Sequence, residues 1–154
     1  STAQVWTIDP ALGVDGPGRG SAQAPLKTIG YAARQAAALG TGAFFLRPGT
    51  YSVASGESFP IALPPLARVL RDPAARDEAA AVIIDTPLDL RTAFLLEGAT
   101  ALDALFEGLE IRGGQLRGIQ MLARGTKLTS ALRVRDCRIL NSRGIAVQAN
   151  QGAK

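Results

Sequence analysis

Alternation of apolar and polar residues is clearest between Ala104 and Val147, where one segment occurs twice. The first copy reads Leu109-Glu110-Ile111-Arg112-Gly113-Gly114, then Arg117-Gly118-Ile119-Gln120-Met121. The second reads Cys137-Arg138-Ile139-Leu140-Asn141-Ser142, then Arg143-Gly144-Ile145-Ala146-Val147. The offset is 28 residues for the first strand and 26 for the second, and Gln115-Leu116 at the corner makes up the difference. Leu109, Ile111, Cys137 and Ile139 fall on one side, and Glu110, Arg112 and Arg138 on the other. This period of two is the strand signature. Each strand ends at a small-residue corner, because Gly and Asn tolerate the left-handed backbone that a sharp corner needs. One copy cannot bury its own apolar face, so the copies must stack. Stacked in one direction, they form a parallel sheet wound around a narrow core. The expected fold is therefore all-β: a right-handed parallel β-helix, a solenoid, in a single domain over residues 1–154. The outward charges fix the register, with Glu107 over Arg135 and Glu110 over Arg138. Neighbouring strands lie ~4.8 Å apart, and a slip by one residue would turn these charges inward.

Upstream, Val5 to Asp9 alternates as a first strand, and residues 10–20 form a loop rich in Gly and Pro. A helix is expected from Thr28, its N-cap, to Gly40, which stops it. Its apolar stripe is Ile29, Ala32, Ala33, Ala36 and Ala37, with Arg34 and Gln35 facing away. Such an alanine-rich face packs closely on a flat surface, so this helix is read as the N-terminal cap that repeat folds need. Gly42 to Tyr51 is strand and then turn. Short strands broken by Pro64-Pro65 occupy residues 60–72, and a charged, alanine-rich excursion fills 73–80. Further strands follow at 81–85 and 92–97, the latter with Phe94 and Leu96 inward.

Three stretches carry a family resemblance. These are Asp9 to Gly18; Pro25-Leu26-Lys27-Thr28-Ile29 with Ala32 and Ala36; and Arg47-Pro48-Gly49-Thr50-Tyr51. Together they resemble the opening segment of secreted right-handed parallel β-helix proteins, pectate-lyase-like chains among them. The following Gly56-Glu57-Ser58-Phe59-Pro60-Ile61 is similar to the domain of unknown function 1565 family in particular. The resemblance spans roughly residues 5–115. It implies an exported or cell-surface bacterial β-helix with no assigned reaction.

Composition narrows the chemistry. At 47% hydrophobic and 19% charged, the chain is not a disordered one. No apolar run approaches the ~18 residues of a membrane span, and Ser1-Thr2-Ala3-Gln4 is not a leader. There is no histidine, which excludes the usual hydrolytic triads and the common zinc sites. The one cysteine, Cys137, reads as a small buried hydrophobe. The glycines at 13–20 lack the Lys-Ser/Thr of a phosphate loop. Asp9 and Asp15 suit a hard cation, but turn chemistry accounts for them as well. Glu57 and Asp85 become a carboxylate pair only if folding joins them. Net charge is +4 and uneven: from Leu105 onward, nine Lys or Arg oppose Glu107, Glu110 and Asp136. That half has Phe106 as its only aromatic residue, so the stacking platform of a single-strand binder is missing and no specific nucleic-acid partner is expected.

Arg117 and Arg143 occupy equivalent Arg-Gly corners and, with Arg112, are the candidate ligand-binding residues, suited to a uronate carboxylate. The simpler reading of these arginines is a solvated, structural corner. Pectate-lyase-like enzymes use an acidic calcium cluster beside such a base. No such cluster accompanies these arginines, so no catalytic residue, metal or cofactor is assigned. The leading expectation is a non-catalytic extracellular scaffold or binding module for carbohydrate or a protein partner. The alternatives are a polysaccharide lyase or hydrolase, or a fragment of one, and a self-assembling subunit. The last rests on the final rung, where Ile145 and Val147 precede a short polar tail; an open strand edge there would pair in a two-fold homodimer.

Overall fold

The computed structural model describes residues 4–88, 92–98, 101–113, 117–123 and 129–149. Among the described residues it is mostly β, 49% strand, with one α-helix, parallel sheets and no barrel. Strand β1 (Val5–Ile8) comes first, followed by helix α1 (Ile29–Ala37). Four layers of three strands follow. The first layer is β2 (Thr41–Leu46), β3 (Gly49–Tyr51) and β4 (Ile61–Leu63). The second is β5 (Leu66–Arg71), β6 (Val82–Asp85) and β7 (Thr92–Gly98). Next come β8 (Ala101–Glu107), β9 (Leu109–Arg112) and β10 (Arg117–Ala123), and finally β11 (Thr129–Arg135), β12 (Arg138–Leu140) and β13 (Ile145–Ala149). Each layer gives one strand to each of three sheets, ordered β1-β2-β5-β8-β11, β3-β6-β9-β12 and β4-β7-β10-β13. Every strand pairing described is parallel.

The repeat sets the register. Ile111 pairs with Ile139 and Glu110 with Arg138 at the 28-residue offset, and Ile119 pairs with Ile145 at 26. Glu107 stands beside Arg135. The corners use the left-handed residues the sequence offers. Gly113 has φ +74° and Asn141 φ +58°. A side chain at Gly113 would start 2.0 Å from the Thr86 carbonyl oxygen, so only glycine fits there. The remaining corner residues, 114–116, lie outside the described ones.

Inward columns make the core. Phe44, Val69, Phe106 and Val134 stack in register through four layers. Phe106 meets Phe94 at 5.2 Å between ring centres, and Trp6 stacks on Phe44 at 5.7 Å. Helix α1 packs against β1, β2 and β4, at the end of the sheets where each begins. Thr28 is its N-cap, the hydroxyl accepting from the Tyr31 N–H at 3.1 Å. Ile29, Ala32, Ala33 and Ala36 are buried beneath it.

Three expectations need correction. Ala37 is exposed; it lies about 80° around the helix from Ile29, at the edge of the stripe. The helix ends at Ala37, three residues before the left-handed Gly40 (φ +70°). Cys137 is only half-buried; among the described residues β12 beside it pairs with β9 alone. Its thiol donates to the Arg135 carbonyl at 3.3 Å, and burial raises its pKa. Among the described residues, no helix is long and apolar enough to cross a membrane.

Candidate functional site

The carboxylates of the first half are held by the fold itself. Asp9 accepts from the Ala11 and Leu12 N–H groups, both at 2.9 Å. Asp15 accepts from the N–H groups of Lys27 and Thr28 at 2.9 and 3.0 Å, and from the Thr28 hydroxyl at 2.7 Å. These are turn and cap bonds, the structural role the sequence also allowed for Asp9 and Asp15. Asp9, Arg47 and Asp72 directly follow β1, β2 and β5, so they stack with alternating sign. Arg47 lies 3.5 Å from Asp9 and 3.6 Å from Asp72, and also donates to the Ala22 carbonyl at 2.6 Å. The buried Tyr51 hydroxyl sits between the carbonyls of Ile8 (3.0 Å) and Arg47 (2.7 Å); burial lifts its pKa beyond the usual range. The Arg47–Tyr51 motif is thus a brace between the first two strands of one sheet.

Glu57 is buried and accepts from Ile29 N–H at 2.6 Å and Gly30 N–H at 3.1 Å, at the start of α1. Burial pushes its carboxyl up to about 7, against the downward pull of those two N–H groups; Asp15 and Arg34 are the nearby charges. Asp85 is elsewhere, exposed at the end of β6 and in register with Arg112. The structure does not bring Glu57 and Asp85 together.

The three candidate arginines fall at one corner without converging equally. Arg117 and Arg143 lie on adjacent layers, tied by a 2.8 Å bond from Gly118 N–H to the Gly144 carbonyl. Arg112 ends the preceding strand and pairs with Glu110 on its own strand. Glu110 is shared with Arg138 at 3.7 Å. Arg112 is therefore already matched by acid.

A groove of about 410 Å³ opens at another corner, where β5 and β8 end. Leu70, Pro73 and Gly108 give it an apolar lining, and Arg76, Glu107 and Asp136 line it with charge. A second hollow of about 230 Å³ shares Arg71, Gly108 and Asp136 and reaches Glu110 and Arg138. Together they cross three layers, about 10 Å at the spacing of parallel strands. Arg71 lines both hollows while its guanidinium holds the excursion, donating to the carbonyls of Ala75 (2.9 Å) and Glu78 (2.7 Å). Asp72 is held by Ala74 N–H at 3.0 Å and by Arg47. Among the described residues no group of three potential ligands could hold a metal ion. Sequence reading missed this groove. Its signal was the charged excursion at 73–80, which forms one wall, and the replacement of Gly108 by Asp136 one repeat later. Both hold the left-handed backbone, at φ +75° and +51°.

Residues 12–90, just over half of the chain, match the family described as Protein of unknown function (DUF1565). The chain belongs to this family, a parallel β-helix, pectate-lyase-like domain of unknown function. No curated protein and no solved structure matches it.

Proposed function

We propose that the four layers are successive turns of a right-handed parallel β-helix, and that this β-helix is a non-catalytic module binding extended carbohydrate along the corner groove. The handedness follows the general rule for crossovers between parallel strands. The observation that carries the reading is the mixed lining of the groove: Arg76 supplies donors, Glu107 and Asp136 supply acceptors, and the cleft runs across three layers. A sugar hydroxyl both donates and accepts, so paired acids and guanidinium suit it better than a surface of one sign. The buried carboxylates Asp9, Glu57 and Asp72 are all engaged in holding loops, helix and Arg47, which supports binding over catalysis. The Arg117–Arg143 corner is the contact point for a uronate in the same reading. A module of this kind works outside the cell or on its surface.

A glycan array followed by calorimetry tests the proposal. Neutral oligosaccharides should bind, with affinity falling at least tenfold in Glu107→Gln/Asp136→Asn, the scale of one or two lost hydrogen bonds to charged groups. Uronate oligomers should lose affinity in Arg117→Ala/Arg143→Ala instead. Accumulation of cleaved or unsaturated product would overturn the non-catalytic reading, and an array without hits would overturn the carbohydrate.

A further inference from the structure

Among the described residues, every aromatic side chain but that of Phe45 lies in the core or packs against it. Phe45 faces the other way. Phe44, Val69 and Phe106 are the buried, inward residues of β2, β5 and β8, so the next residue on each strand points out. The outward row in register is Thr7, Phe45, Leu70, Glu107 and Arg135. Phe45 and Leu70 are half-buried neighbours in this row, on strands about 4.8 Å apart. Leu105 joins them from the adjacent outward row, where the exposed Arg68 is its register partner. An apolar strip on the solvent side of a sheet, rimmed by charge, marks a contact surface.

The strip runs into the corner groove. Leu70 and Glu107 line that groove, and Phe45 carries its floor one layer further, toward the capped end. A flat apolar floor with hydrogen-bonding groups along its margins is the complement of a pyranose ring whose hydroxyls are all equatorial. Such a ring turns C–H bonds to its two faces and hydroxyls to its rim. An axial hydroxyl would be pressed onto Phe45, losing water without gaining a partner. The charges of the groove admit any sugar hydroxyl; the strip discriminates between sugars. Resting on the carbohydrate reading above, we infer that the site selects gluco-configured chains, the oligosaccharides of cellulose type. One ring packs on Phe45 and Leu70, with Arg68 at its rim, and the chain continues into the groove between Arg76 and Glu107. Phe45 is the specificity-determining residue.

Calorimetry with cellohexaose and mannohexaose, which differ only in an axial hydroxyl on each ring, tests this on the purified chain. Cellohexaose should bind at least about tenfold tighter. Phe45→Ala should lose that preference and at least about tenfold in affinity for cellohexaose, whereas Phe45→Tyr should keep both. Melting curves establish that the variants are folded. Phe45→Trp supplies a second readout. Trp6, the one native tryptophan, is buried, so a blue shift of emission on adding cellohexaose reports the new side chain losing water. The unsubstituted chain should show no such shift. Equal affinity for the two hexaoses, or an unshifted Phe45→Trp spectrum with cellohexaose bound, would overturn the platform and leave the groove reading to Glu107→Gln/Asp136→Asn. Neutral glycans that bind while neither hexaose does would overturn this inference alone; an array without hits would overturn both.

Discussion

The two ends of the stack are built from the same repeat and are finished differently. At the first layer, α1 lies over β2 and β4, Trp6 stacks on Phe44, and Asp9, Asp15 and Glu57 satisfy backbone donors of loop and helix. At the last described layer the inward positions keep their apolar residues, and no further described strand pairs beyond them. Ile111 and Ile139 are the same residue type in register, yet Ile111 is fully buried and Ile139 only partly. Burial in this architecture therefore belongs to the position of a layer, not to the residue. A side chain is dry only when a layer or a cap stands on both sides of it. The stabilisation from an identical isoleucine differs accordingly, at roughly 25 cal/mol per Å² removed from water.

The largest expected effect comes from that pair. Ile111→Ala should destabilise by about 2–5 kcal/mol, the range for truncation in a packed core. Ile139→Ala should cost clearly less, since Ile139 has less buried area to lose. Thermal or denaturant unfolding of the two variants measures the difference. Equal losses would mean that the last layer is as well covered as the third.

Next is the capped end, through pH. The folded-state pKa of Glu57, about 7, lies above its ordinary 4.5. The folded protein therefore holds the proton more tightly between those values, and stability falls as pH rises from 4.5 to 7. The full penalty, on the order of 3 kcal/mol, is present above that window and absent below it. Glu57→Gln should flatten this slope while keeping an acceptor for the helix start. Melting temperature followed across the window checks it; an unchanged slope in the variant would assign the pH dependence to other groups.

Smallest is the contrast between two ion pairs. Arg47→Ala leaves Asp9 and Asp72, both buried, without their shared cation and should cost about 1–3 kcal/mol. Arg138→Ala, at an exposed pair with Glu110, should cost only ~0.2–1 kcal/mol and less at high salt. A similar loss in both would make the two ends energetically alike.

Much of the fold was legible in the residues. The 28- and 26-residue offsets, the opposite-sign pairs Glu107–Arg135 and Glu110–Arg138, and the Thr28 cap all reappear in the structure. The candidate site was legible only in part. Arg117 and Arg143 do lie on adjacent layers, but Arg112 is matched by Glu110, and the charged groove at Glu107 and Asp136 went unnoticed. Nothing in the local pattern separates a carboxylate that holds a loop from one that lines a cleft.

What the sequence alone determined is what repeats at short range: strand period, repeat length, and corners at Gly113 and Asn141 that accept left-handed backbone. These follow from steric limits within a few residues. The tertiary structure decided how each side chain is used. Glu57 reaches Ile29 across 28 residues of chain, Arg47 finds Asp9 and Asp72 on either side, and Arg71 holds the excursion through the Ala75 and Glu78 carbonyls. Burial, pKa and pairing depend on neighbours brought from distant parts of the chain, so they exist only once the layers have stacked.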